Sequence, residues 1–182
     1  MTPEFNAQLE PVIQVPKLDD VESYRKMYAA SWMDTYPNAE AGVPLGWVKE
    51  HTDGWLTPEA LDDSRKKVEI VLADKDRQFL YVAKVGDESV GMVHSSSIGG
   101  HQRLEALYVD KRYHGKGLGQ ELLDMALAKL DPSKSIVLEV LAYNERAQRF
   151  YQKNGFAAIP GSEHIYKDVL PCIKMIRQGE NQ

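Results

Sequence analysis

The chain has 182 residues, 43% of them hydrophobic, which is enough for one globular domain with a full apolar core. Its 27 Asp and Glu outnumber 22 Lys and Arg, and a formal net charge of −5 argues against a protein built to grip the nucleic-acid backbone. The single cysteine, Cys172, can form neither an internal disulfide nor a thiolate metal site, which fits a reducing compartment.

The start of the sequence and its apolar runs bear on location. The first residues carry neither a basic start nor an apolar stretch of the secretory type. The longest apolar runs, such as 70–73, are far shorter than the ~20 residues that a membrane span needs. We therefore predict one cytoplasmic domain over residues 1–182, with no membrane and no nucleic acid among its partners.

The first half of the chain predicts one short strand and two helices. A strand at 12–15 stops at Pro16, which cannot donate to a β-ladder. Asp19 and Glu22 have the spacing of a capping box at the start of the first helix. Its apolar side chains recur at helical spacing: Leu18, Val21, Tyr24, Tyr28 and Trp32. A loop with a short helical piece follows, and the Thr-Pro pair at 57–58 starts the second helix.

The middle of the chain predicts β-structure followed by a third helix. Residues 79–85 and 90–94 have the pattern of an antiparallel hairpin, and 103–109 is the next strand. A glycine-rich turn then opens a helix. The strand that follows, 135–141, is β-branched and apolar, which indicates burial on both faces.

The C-terminal part predicts one more helix and two strands. Asn144 is the expected cap of a helix ending near Asn154, and Gly155 is suited to the left-handed position after it. Strands are expected at 156–159 and 165–176, with Pro171 interrupting the second. The order of elements predicts a mixed α/β domain.

The most informative segment is the turn at 114–119, His-Gly-Lys-Gly-Leu-Gly, between a strand and a helix. Alternating glycines let the main chain approach a ligand with its N–H groups exposed, and a helix N-terminus adds positive potential. The combination predicts an anion site suited to a diphosphate, with Lys111, Arg112 and Lys116 as nearby cations. The alternative is a tight turn with solvated lysines.

Two nucleotide motifs do not fit this turn. A Walker loop requires Lys followed by Ser or Thr, but Lys116 is followed by Gly117. A dinucleotide fingerprint requires G-x-G-x-x-G, whereas the glycines here read G-x-G-x-G after a hairpin rather than at the start of a doubly wound sheet. A nicotinamide-dependent enzyme is therefore disfavoured.

Two stretches carry a family pattern. Val109 with 114–119 is similar to V-x-x-x-x-[Q/R]-x-x-G-x-[G/A], and 144–156, NERAQRFYQKNGF, is similar to N-x-x-A-x-x-F-Y-x-x-x-G-F. In these motifs the chain resembles the GCN5-related N-acetyltransferases, the GNAT family, between about 103 and 156. One departure is His114, where the family usually has Gln or Arg. From it we expect a weaker or pH-dependent phosphate contact.

The resemblance implies a fold, a donor and a set of cofactor contacts. The fold is a mixed, mostly antiparallel sheet of about seven strands flanked by helices, with a splayed parallel strand pair. The donor is acetyl-CoA as co-substrate, its pantetheine arm paired with a strand and its diphosphate held by the turn. The implied cofactor-binding residues are Leu107, Tyr108, Val109, His114, Gly115, Lys116, Gly117, Leu118, Gly119, Gln120, Asn144 and Ala147.

Acetyl transfer to an amine needs a proton donor for the thiolate and a base for the ammonium group. The resemblance puts Tyr151 near the thioester sulfur, where its phenol is the expected acid, although the ring could merely pack its helix on the sheet. Glu105 is the expected base because it lies two residues before Leu107 and should share a strand face with it. Glu139 is its rival, expected to be a buried carboxylate. Either carboxylate could instead be an ordinary ion-pair partner.

The acceptor is expected to be a primary amine. The resemblance places the first helix over the acceptor cleft, so Trp32 and Tyr36 are expected to line it, and Asp34, Glu40 and Asp53 favour a small cationic amine. The alternatives are a protein or peptide N-terminus, or a non-catalytic acyl-CoA-binding module. No metal is expected, since the five histidines show no ligand spacing. A homodimer is compatible with the sequence.

Overall fold

The computed structural model describes residues 10–180, and one sheet of eight strands forms the centre of that part of the chain. The strands are β1 Val12–Gln14, β2 Gln78–Val85, β3 Glu88–Ile98, β4 His101–Val109, β5 Ile136–Leu141, β6 Ala157–Ala158, β7 His164–Tyr166 and β8 Leu170–Arg177. The α-helices are α1 Val21–Thr35, α2 Leu45–Asp53, α3 Pro58–Ala73, α4 Leu118–Leu127 and α5 Glu145–Lys153. No helix in the described range is long and apolar enough to cross a bilayer.

The strand order is β1-β2-β3-β4-β5-β8-β6, with β7 also paired to β8. All pairs are antiparallel except β4 with β5, which run parallel. That parallel pairing covers only residues 102–104 and 136–138, after which the two strands diverge. The expected mixed sheet with a splayed parallel pair is confirmed, with eight strands instead of about seven.

Helices cover the sheet on both faces. On one face Leu122 and Leu123 of α4 are fully buried against Val93 and Leu138 of the sheet. On the other face α1 and α3 pack through Val21 and Val68 in a second apolar cluster. A third cluster, rich in aromatic rings, joins α1 and α2 to the ends of β5 and β8. The apolar stripe that the sequence spacing predicts for α1 supplies Val21, Tyr24 and Trp32 to these clusters.

Helix boundaries follow the local signals. Thr57 Oγ1 accepts a hydrogen bond from Ala60 N at 3.2 Å at the start of α3. Asn144 Oδ1 accepts from Ala147 N at 3.1 Å at the start of α5, and Gly155 beyond its end has a φ of 83°. These side-chain caps satisfy amide groups that have no partner within the helix, so they can be predicted from sequence.

The predicted break at Pro171 is wrong. The chain turns instead at Lys167 and Asp168, whose φ angles of 51° and 60° close a hairpin between β7 and β8. Pro171 remains inside β8, opposite Ile165, and its carbonyl accepts from Ala142 N at 2.8 Å. The strand tolerates proline here because proline lacks only the N–H donor, and its carbonyl still accepts a hydrogen bond.

The predicted capping box of Asp19 and Glu22 is wrong, because the observed pair, Lys17 and Asp20, lies two residues earlier. Asp20 accepts from Lys17 N at 2.8 Å, and its other carboxylate oxygen is paired with Lys84 Nζ on β2. The side chains of Asp20 and Lys84 are only 7% and 14% exposed. Burial raises the pKa of Asp20, but the hydrogen bonds from Lys84 and Lys17 outweigh it, so the pKa lies below its ordinary value of 3.8.

This ion pair predicts an acid-dependent stability. Because the folded-state pKa of Asp20 is depressed, its contribution is complete above the unfolded pKa of about 3.9 and is lost as the pH falls through the folded pKa. We expect Asp20→Asn to lower the free energy of unfolding at pH 7 by about 1–3 kcal/mol and to flatten its decline below pH ~4. Asp19→Asn, at a less buried neighbouring position, is the control and should change stability by less than about 0.5 kcal/mol. Equal effects of the two variants in urea titrations would contradict this account.

Candidate functional site

A cleft of about 750 Å³ opens where β4 and β5 diverge. The C-terminal end of α1, the glycine turn before α4 and the first turns of α5 complete its walls. Of the predicted site residues, these line it: Tyr36, Glu105, Leu107, Tyr108, Val109, His114, Gly115, Gly117, Gly119, Gln120, Asn144, Ala147 and Tyr151. Trp32, Lys116 and Leu118 do not line it.

A β-bulge in β4 helps to shape the cleft. His94 pairs with Ala106 and Ser95 with Leu104, so Glu105 is an extra residue in the β3–β4 ladder. A bulge bends its strand and interrupts the alternation of side chains. Leu104 and Leu107 therefore pack in the same apolar cluster although they are three positions apart.

The bulge also moves Glu105 relative to its predicted position. Glu105 hydrogen-bonds Arg103, two residues earlier, and shares that residue's face of the sheet. The expectation that it shares a face with Leu107 is wrong, because that expectation assumed unbroken alternation. No glycine or other local signal marks the bulge in the sequence of β4, since the pairing with β3 sets it.

The glycine turn exposes main-chain donors to the cleft. Gly115 and Gly117 have φ angles of 73° and 91°, which L-side chains rarely adopt, and Gly117 is the cap residue of α4. Nothing lies within 4 Å of the position that a Cβ on Gly115 would occupy. The first amides of α4 lack helical acceptors, and the helix dipole adds positive potential. This donor set fits a diphosphate.

The remaining residues of the turn have other roles. Leu118 is 4% exposed and belongs to the core beneath α4. The Nζ of Lys116 lies 5.4 Å from the centroid of the Tyr113 ring. Neither residue lines the cleft, so the structure does not support their predicted role as cofactor contacts.

His114 links the turn to two other segments. Its Nε2 is 2.8 Å from the carbonyl oxygen of Val109, and its Nδ1 is 2.7 Å from Nη1 of Arg146 on α5. Burial and then the nearby Arg146 charge lower the pKa of His114, while its contact with the Val109 carbonyl opposes the shift. Arg146 lines the cleft as well, and it was missed because the family motif leaves its position free.

Tyr151 occupies the wall formed by α5. Its ring packs edge-on against Phe150 and Phe156, with centroid distances of 5.3 and 5.8 Å, and the residue is 8% exposed. Burial raises the pKa of its phenol well above the ordinary value, so the group stays protonated through the physiological range. The ring therefore packs its helix and also borders the cleft, and its role as the acid stays a prediction.

Two carboxylates border the point where the strands separate. Glu105 accepts from Ser96 Oγ at 2.7 Å, and from Arg103 Nε at 3.3 Å. Arg103 Nη2 also donates to Glu139 Oε1 at 3.1 Å. The side chain of Glu139 is 29% exposed, so the expectation that it is buried is wrong. Arg103 bridges the two strands, and no local motif marks this pairing.

The aromatic residues of α1 divide between core and cleft. Trp32 is 3% exposed, and its Nε1 donates to the Tyr108 hydroxyl at 3.2 Å. Tyr36 stacks on Trp32 with ring centroids 3.9 Å apart and borders the cleft. Direct contact of Trp32 with an acceptor is therefore not supported by its position. It acts as the platform beneath Tyr36.

Tyrosine hydroxyl groups in and beside this aromatic cluster form hydrogen bonds within the protein. Tyr36 and Tyr108 share a hydrogen bond of 2.8 Å, and Tyr143, which was not predicted, donates to the main-chain oxygen of Tyr36. Burial raises the pKa of Tyr143 to about 12 and the pKa of Tyr36 and Tyr108 further. All three phenols are therefore neutral hydrogen-bonding groups at pH 7.

Acidic side chains of α1 and the following loop are not equivalent. Asp34 borders the cleft and pairs with Lys111 Nζ at 2.8 Å, whereas Glu40 and Asp53 lie outside it.

Cys172 is 7% exposed, and burial with the nearby Glu139 charge raises its thiol pKa to about 11. The thiol is therefore protonated at pH 7, as expected for an unreactive buried cysteine.

Comparison with known proteins identifies a family pattern over most of the chain. The model of the "Acetyltransferase (GNAT) family" matches residues 24–156. A spermine/spermidine N(1)-acetyltransferase of Bacillus subtilis is 41% identical over 56 residues, which cover 29% of this chain and 37% of that relative. An uncharacterized N-acetyltransferase of Methanocaldococcus jannaschii is 31% identical over 104 residues, covering 56% of this chain and 67% of that relative.

Solved structures show the same fold over nearly the whole chain. The PaiA N-acetyltransferase of Thermoplasma acidophilum, solved in complex with coenzyme A, superposes with a TM-score of 0.69. The match covers 92% of this chain and 98% of the other, at 18% sequence identity. The solved structure thus confirms the fold, and the family match over residues 24–156 confirms the resemblance deduced from the two sequence motifs.

Proposed function

Because this chain belongs to the acetyltransferase (GNAT) family, we propose that it is an acetyl-CoA-dependent N-acetyltransferase whose acceptor is a small cationic primary amine. The observation that carries this proposal is the charge of the cleft. Three carboxylates line it, Asp34, Glu105 and Glu139, whereas the only Lys or Arg side chain among the described lining residues is Arg146, beside the glycine turn. Carboxylates facing a partly enclosed cleft favour an ammonium guest.

Two features of the site support a position for the donor: the unpaired edge of β4 and the glycine turn. The β4–β5 pairing ends at Leu104, which leaves main-chain groups of Leu107 to Val109 facing the cleft for a pantetheine arm to pair with. The exposed amides of the turn then receive the diphosphate. When bound, acetyl-CoA supplies the activated thioester that the amine attacks. We assign the cofactor contacts to the residues named from the resemblance, with Asn144 acting as the helix cap that aims α5.

The proton transfers can be assigned to side chains of the cleft. The phenol of Tyr151 borders it and remains protonated, so it can donate to the thiolate as the carbon–sulfur bond breaks. An alkylammonium group, with a pKa of about 10, must lose a proton before attack. The position of Glu105 at the bulge, where it lines the cleft, supports the role of base, and Ser96 and Arg103 orient its carboxylate.

The two alternatives to a small-amine acetyltransferase are a peptide N-terminal acetyltransferase and a non-catalytic acyl-CoA-binding module. The name of the Bacillus subtilis relative supports a polyamine, but the matched segment spans only 37% of that protein. A peptide N-terminus would present one ammonium group with an amide behind it, which the carboxylates of the cleft do not favour over a polyamine. A non-catalytic acyl-CoA-binding module would need no proton donor at Tyr151.

The test is thiol release from acetyl-CoA with spermidine, butylamine and a short peptide as acceptors. We expect spermidine to give the highest kcat/KM. Asp34→Asn and Glu139→Gln should each raise the KM for spermidine about two- to fivefold, because each removes one partly screened attraction, and should affect butylamine less. Asp19→Asn, remote from the cleft, is the control. Binding of acetyl-CoA without thiol release for any amine would favour the binding module, and preference for the peptide would overturn the small-amine assignment.

A further inference from the structure

His114 lies between two partners whose hydrogen-bonding roles are fixed. The guanidinium of Arg146 can only donate, and the carbonyl of Val109 can only accept. Nδ1, at 2.7 Å from Arg146 Nη1, must therefore be unprotonated, and Nε2, at 2.8 Å from the Val109 oxygen, must carry the proton. The contacts define a neutral imidazole with the Nε2–H tautomer.

This imidazole connects three segments around the glycine turn. Val109 is the last residue of β4, His114 begins the turn into α4, and Arg146 lies in the first turn of α5. Its neighbour Glu145 is paired with Arg149 at 2.8 Å instead. Within residues 10–180 no carboxylate is paired with Arg146, so its guanidinium retains donors for a ligand in the cleft.

We propose that Arg146 is a diphosphate-binding residue and that neutral His114 is its positioning residue. This inference rests on the proposed site for acetyl-CoA. A free arginine side chain loses conformational entropy when it binds a phosphate, and an acceptor that already holds one N–H in place reduces that loss. The remaining N–H groups of Arg146 then add a charge-assisted contact to the main-chain donors of the turn.

The role requires a neutral imidazole. A proton on Nδ1 would remove the acceptor and bring two cations together. The charged groups that face His114 are Arg146 from α5, Asp110 after β4 and Asp34 from α1; burial and the Arg146 charge favour the neutral form, and the two carboxylates oppose it. Glutamine, the residue common at this position in the family, offers one acceptor and one donor without titrating, so it can form the same two contacts.

The experiment measures calorimetric affinity for dephospho-CoA, which retains the diphosphate but lacks the titrating 3′-phosphate. We expect Arg146→Gln to weaken binding about tenfold, the effect of one charged hydrogen bond. His114→Ala should weaken it several-fold, the double variant should be no weaker than Arg146→Gln, and His114→Gln should recover most of the loss. Losses that multiply in the double variant, or no loss in His114→Ala, would overturn the positioning role.

A second measurement does not depend on the ligand. The imidazole ¹⁵N shifts of the ligand-free protein should report the Nε2–H tautomer for His114, and Arg146→Gln should raise the pKa of that ring by removing a neighbouring cation. The Nδ1–H tautomer would overturn the inference. The expected tautomer without any binding of dephospho-CoA would instead overturn the proposed cofactor site and the ligand assignment of Arg146.

Discussion

Tyr151→Phe should lower kcat for acetyl transfer about 100-fold or more while the affinity for acetyl-CoA stays within about twofold. The substitution removes only the hydroxyl and retains the ring that packs on Phe150 and Phe156. Without the hydroxyl, the departing thiolate would lose the proton donor that we propose for it. Steady-state kinetics with the best amine acceptor, together with calorimetric binding of acetyl-CoA, checks both halves of this expectation.

Tyr143→Phe is the matched control for Tyr151→Phe. Tyr143 also borders the cleft, but its hydroxyl donates to the main chain of Tyr36, so its loss should lower kcat by only a few-fold. Because burial raises the pKa of Tyr151, the wild-type enzyme should show no fall in kcat from loss of this proton below pH ~10. If Tyr151→Phe retained kcat within about twofold, the residue would be a packing group alone.

Leu122→Ala should lower the free energy of unfolding by about 2–5 kcal/mol, because the side chain is fully buried beneath α4. Gly91→Ala should cost about 1–3 kcal/mol, since its Cβ would lie 2.9 Å from Leu122 Cδ1 and 3.3 Å from the Tyr108 carbonyl oxygen. The loss in the double variant should be smaller than the sum of the two single losses, because truncation of Leu122 leaves room for the new methyl group. Urea titrations of all three proteins measure the coupling.

Leu123→Ala provides the control background for that cycle. Leu123 is equally buried on α4 but is not among the nearest neighbours of the position that a methyl group on Gly91 would occupy. Gly91→Ala should therefore remain as destabilising in Leu123→Ala as in the wild type. Additivity within about 0.5 kcal/mol in the Leu122→Ala background as well would contradict the proposed close approach of α4 to β3.

The parts of the site that were predicted correctly depend on neighbours in the sequence. The turn at 114–119 and the caps at Thr57 and Asn144 are set by φ angles and hydrogen bonds within a few residues. The family motifs lie in these same segments, so the turn, the start of α5 and Tyr151 could be placed at one cleft from the sequence alone. Local geometry and the motif spacing carried that information.

The errors involve contacts between distant segments. Glu105 changes face because β3 pairs with β4 through a bulge, and Glu139 is partly exposed at the edge of the cleft, where Arg103 reaches it from the neighbouring strand. Trp32 is buried because Tyr36 and Tyr108 enclose it. The strand partners of Glu105 and Glu139, and Tyr108 beside Trp32, all come from other elements of the fold.

The sequence by itself determined the family, the order of the elements, and the glycine turn and tyrosine that border the cleft, since each is specified by residues close together in the chain. Tertiary structure alone decided which carboxylates border the cleft, which aromatic ring of α1 borders it and which partners His114 has. The physical reason is that strand register and side-chain ion pairs are fixed by partners far away in the chain, and Tyr36 and Tyr143 meet across a sequence separation of 107.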